Sequence, residues 1–231
     1  CGTLFPSTPL FRSRAIIAVD PVQAADLTVT PPVYLGLSGR GVNIAVSETV
    51  DTDHPDFWEH DAAGNPTFSR FLNSGGKGFH GTHVAGIIGG NGWNSDRDGN
   101  SFLPYQLRGM APEATLISGH GYNSYRVHAS NHSYVMNYGE YGTTSQNVDK
   151  DIRRGNGFDR RKPHIWAAAN QGVSAQYDNE EGYYAIYAPA KNAICIGAVN
   201  ANDRSLAAFS SLGPTFDGRI KPDVMAGGCK D

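Results

Sequence analysis

The pattern of hydrophobic and polar positions predicts short buried strands that alternate with helices. Five apolar runs, each bounded by Gly, Pro or polar residues, are typical of buried strands. They are residues 41–47, 114–120, 127–135, 164–170 and 193–199. Residues 79–90 begin polar and become small and apolar, which predicts a helix packed closely on a sheet. Residues 143–157 predict a second helix, because they begin with Thr and Ser, carry basic residues late and contain a following Gly.

Strands that alternate with helices indicate an α/β fold whose central sheet is mostly parallel. In such sheets ligands gather at the carboxyl ends of the strands. Glu48 follows the run NIAVS, His80 begins the first predicted helix, and Asn170 follows the run IWAAA. A carboxylate, an imidazole and an amide at these points can act as orienting acid, general base and oxyanion donor. Taken singly, each of these residue types is more often structural.

Composition excludes several classes of protein. The 231 residues are 39% hydrophobic and 18% charged, which is ordinary for a globular protein and too mixed for disorder. A net charge of -3 gives no large basic field, so we expect no nucleic-acid partner. No apolar run approaches the roughly 20 residues of a membrane span. The three cysteines form no CxxC pair, which excludes a disulfide framework, and Cys195 is expected to be a buried small hydrophobe.

Six short words occur in one order along the chain and carry a family resemblance. They are GRGVNIAV (39–46), HPDF (54–57), HGTHVAG (80–86), AAANQG (167–172), FSSLGP (209–214) and KPDVMA (221–226). In this order they resemble the motifs of the subtilisin-like serine proteases, the subtilases. HGTHVAG is highly specific, and the resemblance runs from about Gly39 to Gly227. It implies a three-layer α/β sandwich of the subtilisin-like type, incomplete at its C-terminus, and a serine endopeptidase acting through an acyl-enzyme.

The resemblance implies that His80 is the general base, and an imidazole can take a proton from a serine hydroxyl near neutral pH. The family has an Asp that orients this His, where the present text reads IAVSETVD. Counting forward from GRGV places Glu48 at that position, which we prefer. Counting back from HPD without a gap places Ser47 there, and Asp51 is a further carboxylate. A zinc site built on His80 and His83 would need more ligands, and we expect His83 to be a structural hydrogen bonder.

The other site residues also follow from the resemblance. Asn170 matches the family's oxyanion-hole Asn, preceded by Ala169 where the family usually has Gly. Ser133 and Tyr134, in the word SNHSYV, match a strand that pairs with the extended substrate backbone. Together with Ala167, Ala168 and Ala169, these two residues are expected to bind substrate, and the small apolar walls suggest a neutral or hydrophobic residue at the cut site.

One family motif is missing from the 231 residues. No G-T-S-x-[AG] occurs, although in the family it supplies the nucleophilic serine after the K-P-D segment. We expect the nucleophile to lie beyond Asp231, so that the chain as given is a fragment that does not hydrolyse peptides. The alternative is a non-catalytic subtilase-like domain that binds peptides without cutting them.

A calcium site is the one metal site that the sequence suggests. Asp96, Asp98 and Asn100 alternate around a Gly like part of a calcium loop, and Asp56 of HPDF matches a calcium ligand of the family. The bidentate Glu that would end such a loop is missing, and a solvated turn is the alternative reading. We expect no required cofactor, with structural calcium as an addition.

Further expectations concern the segments of the chain, its assembly and its location. We expect residues 1–13 to be a non-native or disordered leader, residues 14–40 an N-terminal extension, and residues 41–231 a partial catalytic domain. The resemblance implies a protein or peptide substrate, a monomer, and a secreted or cell-envelope location, although no signal peptide is present in the sequence.

Overall fold

A computed structural model describes most of the chain. The described residues are 14, 17–97, 99, 102–119, 125–137, 139–154, 161–172 and 185–229. The expected leader at residues 1–13 therefore lies outside them. The chain divides into two compact units, an N-terminal unit that ends at His128 and a C-terminal unit that begins at Ala129.

In the N-terminal unit two predicted strands pair in parallel. Strand β3 (Asn43–Val46) lies beside β6 (Thr115–Ser118), and the consecutive residues Ala45 and Val46 at its end are both completely buried. Helix α2 (Phe79–Gly89) packs on this pair through its small residues. These three elements are confirmed from the sequence pattern, and they surround a core to which Phe57, Phe71 and Leu116 contribute the largest side chains.

Several short elements of this unit carried no sequence prediction. A first helix, α1 (Val19–Gln23), precedes a two-stranded pair, β1 (Ala25–Asp26) and β2 (Val33–Tyr34). A hairpin follows, made of β4 (Trp58–His60) and β5 (Pro66–Ser69). The buried Arg14 donates to Asp20 and to the carbonyl of Arg108, which links it to two distant parts of the unit.

The C-terminal unit contains four parallel strands. They are β7 (Ala129–His132), β8 (His164–Ala167), β9 (Ile194–Asn200) and β10 (Val224–Cys229), neighbours in that order. Helix α3 (Thr143–Arg154) buries Val148 and Ile152 against a core that includes Trp166, Ile186 and Cys195. The sequence pattern predicted β7, β8, β9 and α3, and Cys195 is fully buried as expected. It did not predict β10, whose Gly-rich text VMAGGC reads as a turn.

Parallel strands with helices packed against them confirm the predicted α/β class. Within the ranges that the structure describes, no helix has both the length and the apolar character needed to cross a membrane.

Candidate active site

The backbone of Glu48 is fixed at the carboxyl end of β3 by the end of β6. The carbonyl of Glu48 accepts hydrogen bonds from Gly119 N at 2.8 Å and from Ser118 Oγ at 3.2 Å. Ser118 Oγ also accepts from Val50 N at 3.1 Å. A single serine hydroxyl thus holds both sides of the turn that carries the carboxylate. Ser118 is a polar residue near the end of a predicted apolar strand, which was the available sequence signal for this role. The sequence analysis did not predict that role.

Helix α2 brings His80 to this turn because glycines allow the two backbones to touch. A Cβ atom on Gly78 would lie 2.1 Å from Thr49 O, and one on Gly81 would lie 2.2 Å from the same oxygen. Thr82 adds a polar link, since its hydroxyl accepts from Asp51 N at 2.8 Å and donates to Gly78 O at 2.7 Å. The Gly and Thr of the word HGTH therefore serve to dock the start of the helix on the turn after β3.

His80 and Glu48 form a hydrogen-bonded pair. Nδ1 of His80 donates to Oε1 of Glu48, a contact that joins residues 32 positions apart in the chain. The side chain of His80 is 66% exposed, whereas that of Glu48 is 14% exposed. Oε2 of Glu48 is buried and accepts no hydrogen bond from the described residues. The carboxylate therefore directs its charge at the imidazole, and the other edge of that ring faces solvent.

The two alternatives to Glu48 have different surroundings. The carboxylate of Asp51 accepts from Lys77 Nζ at 2.8 Å, and this contact lowers the pKa of Asp51. Ser47 is buried, and its hydroxyl makes no hydrogen bond to any described residue. Of the three candidates at this turn, Glu48 is the one whose side chain contacts His80.

His83 lies one turn further along α2. Burial and the neighbouring His80 lower its pKa, so its imidazole favours the neutral form. The expected structural hydrogen bond of His83 is not found with any residue that the structure describes. Across those residues no group of three or more His, Cys, Asp or Glu side chains is placed to hold a metal ion.

Asn170 follows β8 in the C-terminal unit, and its side chain is exposed. Ala169 before it has φ +100°, a backbone conformation that L-residues adopt at a cost. The segment is held by its carbonyls, since Ala168 O accepts from Tyr187 N at 3.1 Å and Ala169 O from Ser211 N at 3.0 Å. The usual family Gly at this position is explained by the positive φ, which glycine adopts without strain.

The remaining predicted substrate residues lie near the ends of β7 and β8. Ser133 Oγ accepts from Asn131 Nδ2 at 3.0 Å. Tyr134 is half-buried, and its carbonyl accepts from Trp166 Nε1 at 2.6 Å. Ala167 is exposed and Ala168 is buried. Their assignment to substrate binding stays a prediction.

The predicted calcium ligands are described only in part. Oδ1 of Asp56 accepts from Asn94 N at 2.8 Å, and burial raises the pKa of Asp56. Asp96 is paired with the cation of Arg97 at 2.7 Å. Asp98 and Asn100 lie outside the described residues. The calcium site stays a prediction.

Two curated relatives of this chain are serine proteases. A search of curated proteins finds Serine protease AprX of Bacillus subtilis, 28% identical over 229 residues, which cover 83% of this chain and 47% of that protein. It also finds the Major intracellular serine protease of the same organism, 27% identical over 203 residues, which cover 79% of this chain and 58% of that protein. The chain spans about half the length of the curated relatives it matches.

Solved structures confirm the predicted three-layer subtilisin-like α/β fold. The CspB protease of Clostridium perfringens matches with a TM-score of 0.59 and 15% identity, over 83% of this chain and 77% of that one. MycP1 of Mycobacterium smegmatis matches with a TM-score of 0.57 and 15% identity, over 94% of this chain and 62% of that one.

The model of one protein family matches most of the chain. Its description is Peptidase_S8, Subtilase family, and the match covers residues 39–230. This range contains all six words that carry the resemblance, together with the hydrogen-bonded Glu48 and His80. The chain belongs to the subtilase family.

Proposed function

We propose that this chain is part of a serine endopeptidase that hydrolyses peptide bonds of proteins through an acyl-enzyme. The observation that supports this proposal is the hydrogen bond from His80 Nδ1 to Glu48, made by an imidazole whose opposite edge is open to solvent. An imidazole held in this way can exchange a proton with a bound substrate, which a buried structural histidine cannot do.

In the proposed mechanism Glu48 selects the tautomer of His80. Because the carboxylate accepts the Nδ1 proton, the lone pair of His80 lies on Nε2 and is available to a hydroxyl nucleophile. Nε2 takes the proton of the nucleophile during attack and returns it to the leaving amine. Glu48 stabilises the imidazolium that forms between these steps. Glutamate is one methylene longer than aspartate, and the turn after β3 is one residue shorter than in the family motif, so the carboxylate still reaches the ring.

Asn170 is proposed to donate its side-chain N–H to the oxyanion that develops on the scissile carbonyl. Its exposed amide makes no hydrogen bond to any described residue, which supports this role. Removal of one such donor in a serine protease costs about 2.7–4 kcal/mol of transition-state stabilisation. Ser133, Tyr134 and Ala167–Ala169 are proposed to line the substrate-binding site.

The nucleophile is proposed to be a serine encoded outside the given sequence. The 231 residues contain no G-T-S-x-[AG], so we expect the isolated chain to bind peptides without hydrolysing them. The location also stays a proposal. Export fits many members of such a family, but one of the two curated relatives is named an intracellular protease. A monomer that acts on protein substrates is the assembly we propose.

The decisive experiment extends the coding sequence past Asp231 and tests the longer protein. A G-T-S-x-[AG] motif in that extension, hydrolysis of fluorescein-labelled casein and labelling by a fluorophosphonate are the expected results. His80→Ala and Glu48→Gln are then expected to lower kcat by several orders of magnitude and by at least tenfold, respectively. His83→Gln, on the same helix, is the matched control and should retain activity.

The alternative is a peptide-binding domain without catalytic activity. It is favoured by the glutamate in place of the family's aspartate. A complete reading frame without the serine motif, together with casein binding and no hydrolysis, would establish this alternative and contradict the endopeptidase.

A further inference from the structure

A cavity of about 200 Å³ lies in the N-terminal unit. The described residues that line it include none of the active-site candidates. Its walls are formed largely by rings, those of Pro31, Pro32 and Pro112 and those of Tyr34 and Trp93. Pro31 is exposed and Trp93 is buried, so the cavity leads from the surface into the unit. Concave sites lined by rigid rings with a few polar groups are typical of small-molecule binding sites.

The hydroxyl of Tyr34 is a polar group of this cavity that lacks a partner. It is buried and makes no hydrogen bond to any described residue. The pairing of Tyr34 on β2 with Ala25 on β1 fixes the backbone from which the ring extends. Burial raises the pKa of Tyr34 to about 12, so the hydroxyl keeps its proton at neutral pH. A buried hydroxyl without a partner costs stability, and a ligand that accepts its hydrogen bond would recover that cost.

One wall of the cavity is held by a stack of three planar groups. The ring of His60 lies parallel to that of Trp93, with centroids 3.9 Å apart and an interplanar angle of 3°. The guanidinium carbon of Arg97 lies 3.6 Å from the centre of the same indole. Arg97 is in turn paired with Asp96 at 2.7 Å. The indole therefore has a fixed orientation before any ligand binds, which reduces the entropy that binding would lose.

A second wall is held by Tyr105. This residue is buried and has φ +57°, a conformation that a bulky L-residue adopts at a cost. Its hydroxyl donates to Thr30 Oγ1 at 3.1 Å, directly before Pro31 and Pro32 in the chain. Residues held in such conformations cluster at binding and catalytic sites. Tyr105 thus fixes the prolines that form the rim of the cavity.

The charged groups that line the cavity are paired within the protein. Glu113 accepts from Arg40, whose Nε lies 3.3 Å from the carboxylate. Oε1 of Glu59 lies 3.3 Å from Nε of the buried Arg70. Burial lowers the pKa of His60, so this ring favours the neutral form. A charged ligand would lose hydration here without gaining a free counter-ion among the described residues.

Two further guanidinium groups approach Tyr34 from outside the cavity. Arg14 and Arg108 both donate to Asp20, at 2.6 and 2.7 Å. Arg108 also donates to the carbonyl of Tyr105 at 3.3 Å. Neither arginine lines the cavity, and their N–H groups point to acceptors within the protein. The Tyr34 hydroxyl is therefore the donor that faces a ligand on this side, and it is uncharged.

We propose that this cavity binds an uncharged molecule that has one aromatic ring and a carboxamide. The amide carbonyl accepts from the Tyr34 hydroxyl, and the amide N–H groups donate to the oxygen of Glu59 that is not paired with Arg70. An apolar cavity of about 150 Å³ holds benzene, so about 200 Å³ leaves room for one ring with a small polar group. This binding site is independent of the proposed endopeptidase function.

The first test compares three probes of nearly the same shape and different charge. Benzamide is uncharged, benzoate is an anion and benzamidinium is a cation. Benzamide is expected to bind the 231-residue chain at pH 7 with a Kd of about 1 mM, which suits a ligand of its size. Benzoate and benzamidinium should bind at least about tenfold more weakly, because neither finds a free counter-ion. Equal affinity for the three probes, or no saturable binding of benzamide, would overturn the proposal.

The second test locates benzamide through the indole N–H resonances of the three tryptophans, recorded in ¹H–¹⁵N spectra. Trp93 lines the cavity, whereas Trp166 belongs to the core of the C-terminal unit. Benzamide is expected to shift the resonance of Trp93 and to leave that of Trp166 unchanged, and Trp93→Phe assigns the signal. Binding without a shift at Trp93 would place benzamide elsewhere and contradict the proposed site.

The third test removes the Tyr34 hydroxyl alone. Tyr34→Phe should raise the Kd of benzamide by about 3–10-fold, the loss of one hydrogen bond, and leave that of toluene unchanged. Tyr141→Phe, which removes a hydroxyl bonded to Asp149 in the other unit, is the control and should keep the benzamide Kd. An unchanged benzamide Kd in Tyr34→Phe would refute the assigned hydrogen bond.

Thermal unfolding of the same variant checks that the hydroxyl lacks a partner within the protein. The Tm of Tyr34→Phe should equal or exceed that of the wild type, because a buried unpaired hydroxyl is removed. Tyr105→Phe removes a hydroxyl that donates to Thr30, so its Tm should fall. A fall in Tm for Tyr34→Phe as large as that for Tyr105→Phe would show that the hydroxyl serves the fold rather than a ligand.

Discussion

The two units each join an imidazole to a carboxylate, and they do so in opposite surroundings. In the N-terminal unit the ring of His80 is 66% exposed and contacts Glu48 through one edge only. In the C-terminal unit His164 is 2% exposed and has neighbours on both edges, Asp151 on one and His132 on the other. The same two functional groups can therefore serve different purposes. The ring of His80 is open to solvent, whereas the ring of His164 is enclosed by protein.

The backbone around the two sites also differs. In the first site glycine occupies positions where a Cβ atom would overlap a neighbouring backbone, as Gly81 does beside the carbonyl oxygen of Thr49. The second unit has Ala169 at φ +100°, where glycine would be unstrained. The N-terminal site thus has residues that suit its backbone conformation, whereas the C-terminal segment before Asn170 holds an alanine in a strained conformation.

The largest expected effect separates the two histidines by stability. His164→Phe should lower the free energy of unfolding by about 3 kcal/mol, because it removes the buried imidazole that contacts Asp151 and His132 and places an apolar ring beside the carboxylate. His80→Ala should lower it by less than about 1 kcal/mol, since His80 is exposed and the change removes a single hydrogen bond. Urea unfolding of both variants measures the difference. Equal losses would mean that the enclosed pair is no more structural than the open one.

Gly81→Ala is expected to destabilise the protein by about 1–3 kcal/mol, because the new Cβ would overlap Thr49 O and push α2 away from Glu48. Gly86→Ala on the same helix is the matched control. Its Cβ would meet no atom within 4 Å, so the helix should gain up to about 1 kcal/mol. Thermal unfolding checks the opposite signs, and a neutral Gly81→Ala would argue against close docking of the helix.

The pH dependence of stability should come from the enclosed pair. Burial lowers the pKa of His164, so the unfolded chain binds this proton more readily than the folded chain. The stability from neutral His164 is complete above the ordinary pKa of 6.5 and is lost as the pH falls below it, by up to about 1.4 kcal/mol per unit. Urea titrations at pH 7, 6 and 5 should show a shallower slope for His164→Phe than for the wild type. Equal slopes for the wild type and His164→Phe would contradict the assignment of this pH dependence to His164.

The smallest effect concerns the strain before Asn170. Ala169→Gly should raise the free energy of unfolding by about 1 kcal/mol, because a positive φ costs an L-residue about that amount. Ala168→Gly is the control, since Ala168 has no positive φ, and it should lose about 1 kcal/mol. A loss of stability in both variants would show that Ala169 contributes packing that exceeds its strain.

The sequence predicted most of the regular elements and singled out the residues that lie in the family motifs. Strands β3, β6, β7, β8 and β9 and helices α2 and α3 were predicted, because burial imposes a periodicity that a single chain displays. Strand β10 was missed, since its glycines are typical of turns and only the pairing with β9 makes it a strand. No role was predicted for the enclosed histidines His132 and His164. The spacing of Ser130, His132 and Tyr134 at every second position was the available signal that they share one face of a strand.

The sequence by itself determined the family and the fold class, because these depend on short family motifs and on hydrophobic periodicity, and it singled out His80 as the candidate base. It could not choose between Ser47, Glu48 and Asp51, since counting along the chain does not fix where a side chain ends in space. In the tertiary structure Glu48 is the candidate that contacts His80. The glycines at the start of α2 allow His80 to approach the turn by packing against Thr49, and Asp51 instead accepts a hydrogen bond from Lys77. The tertiary structure alone brought His132 to His164, because their meeting depends on the register of two strands that are separated by 31 residues of intervening chain.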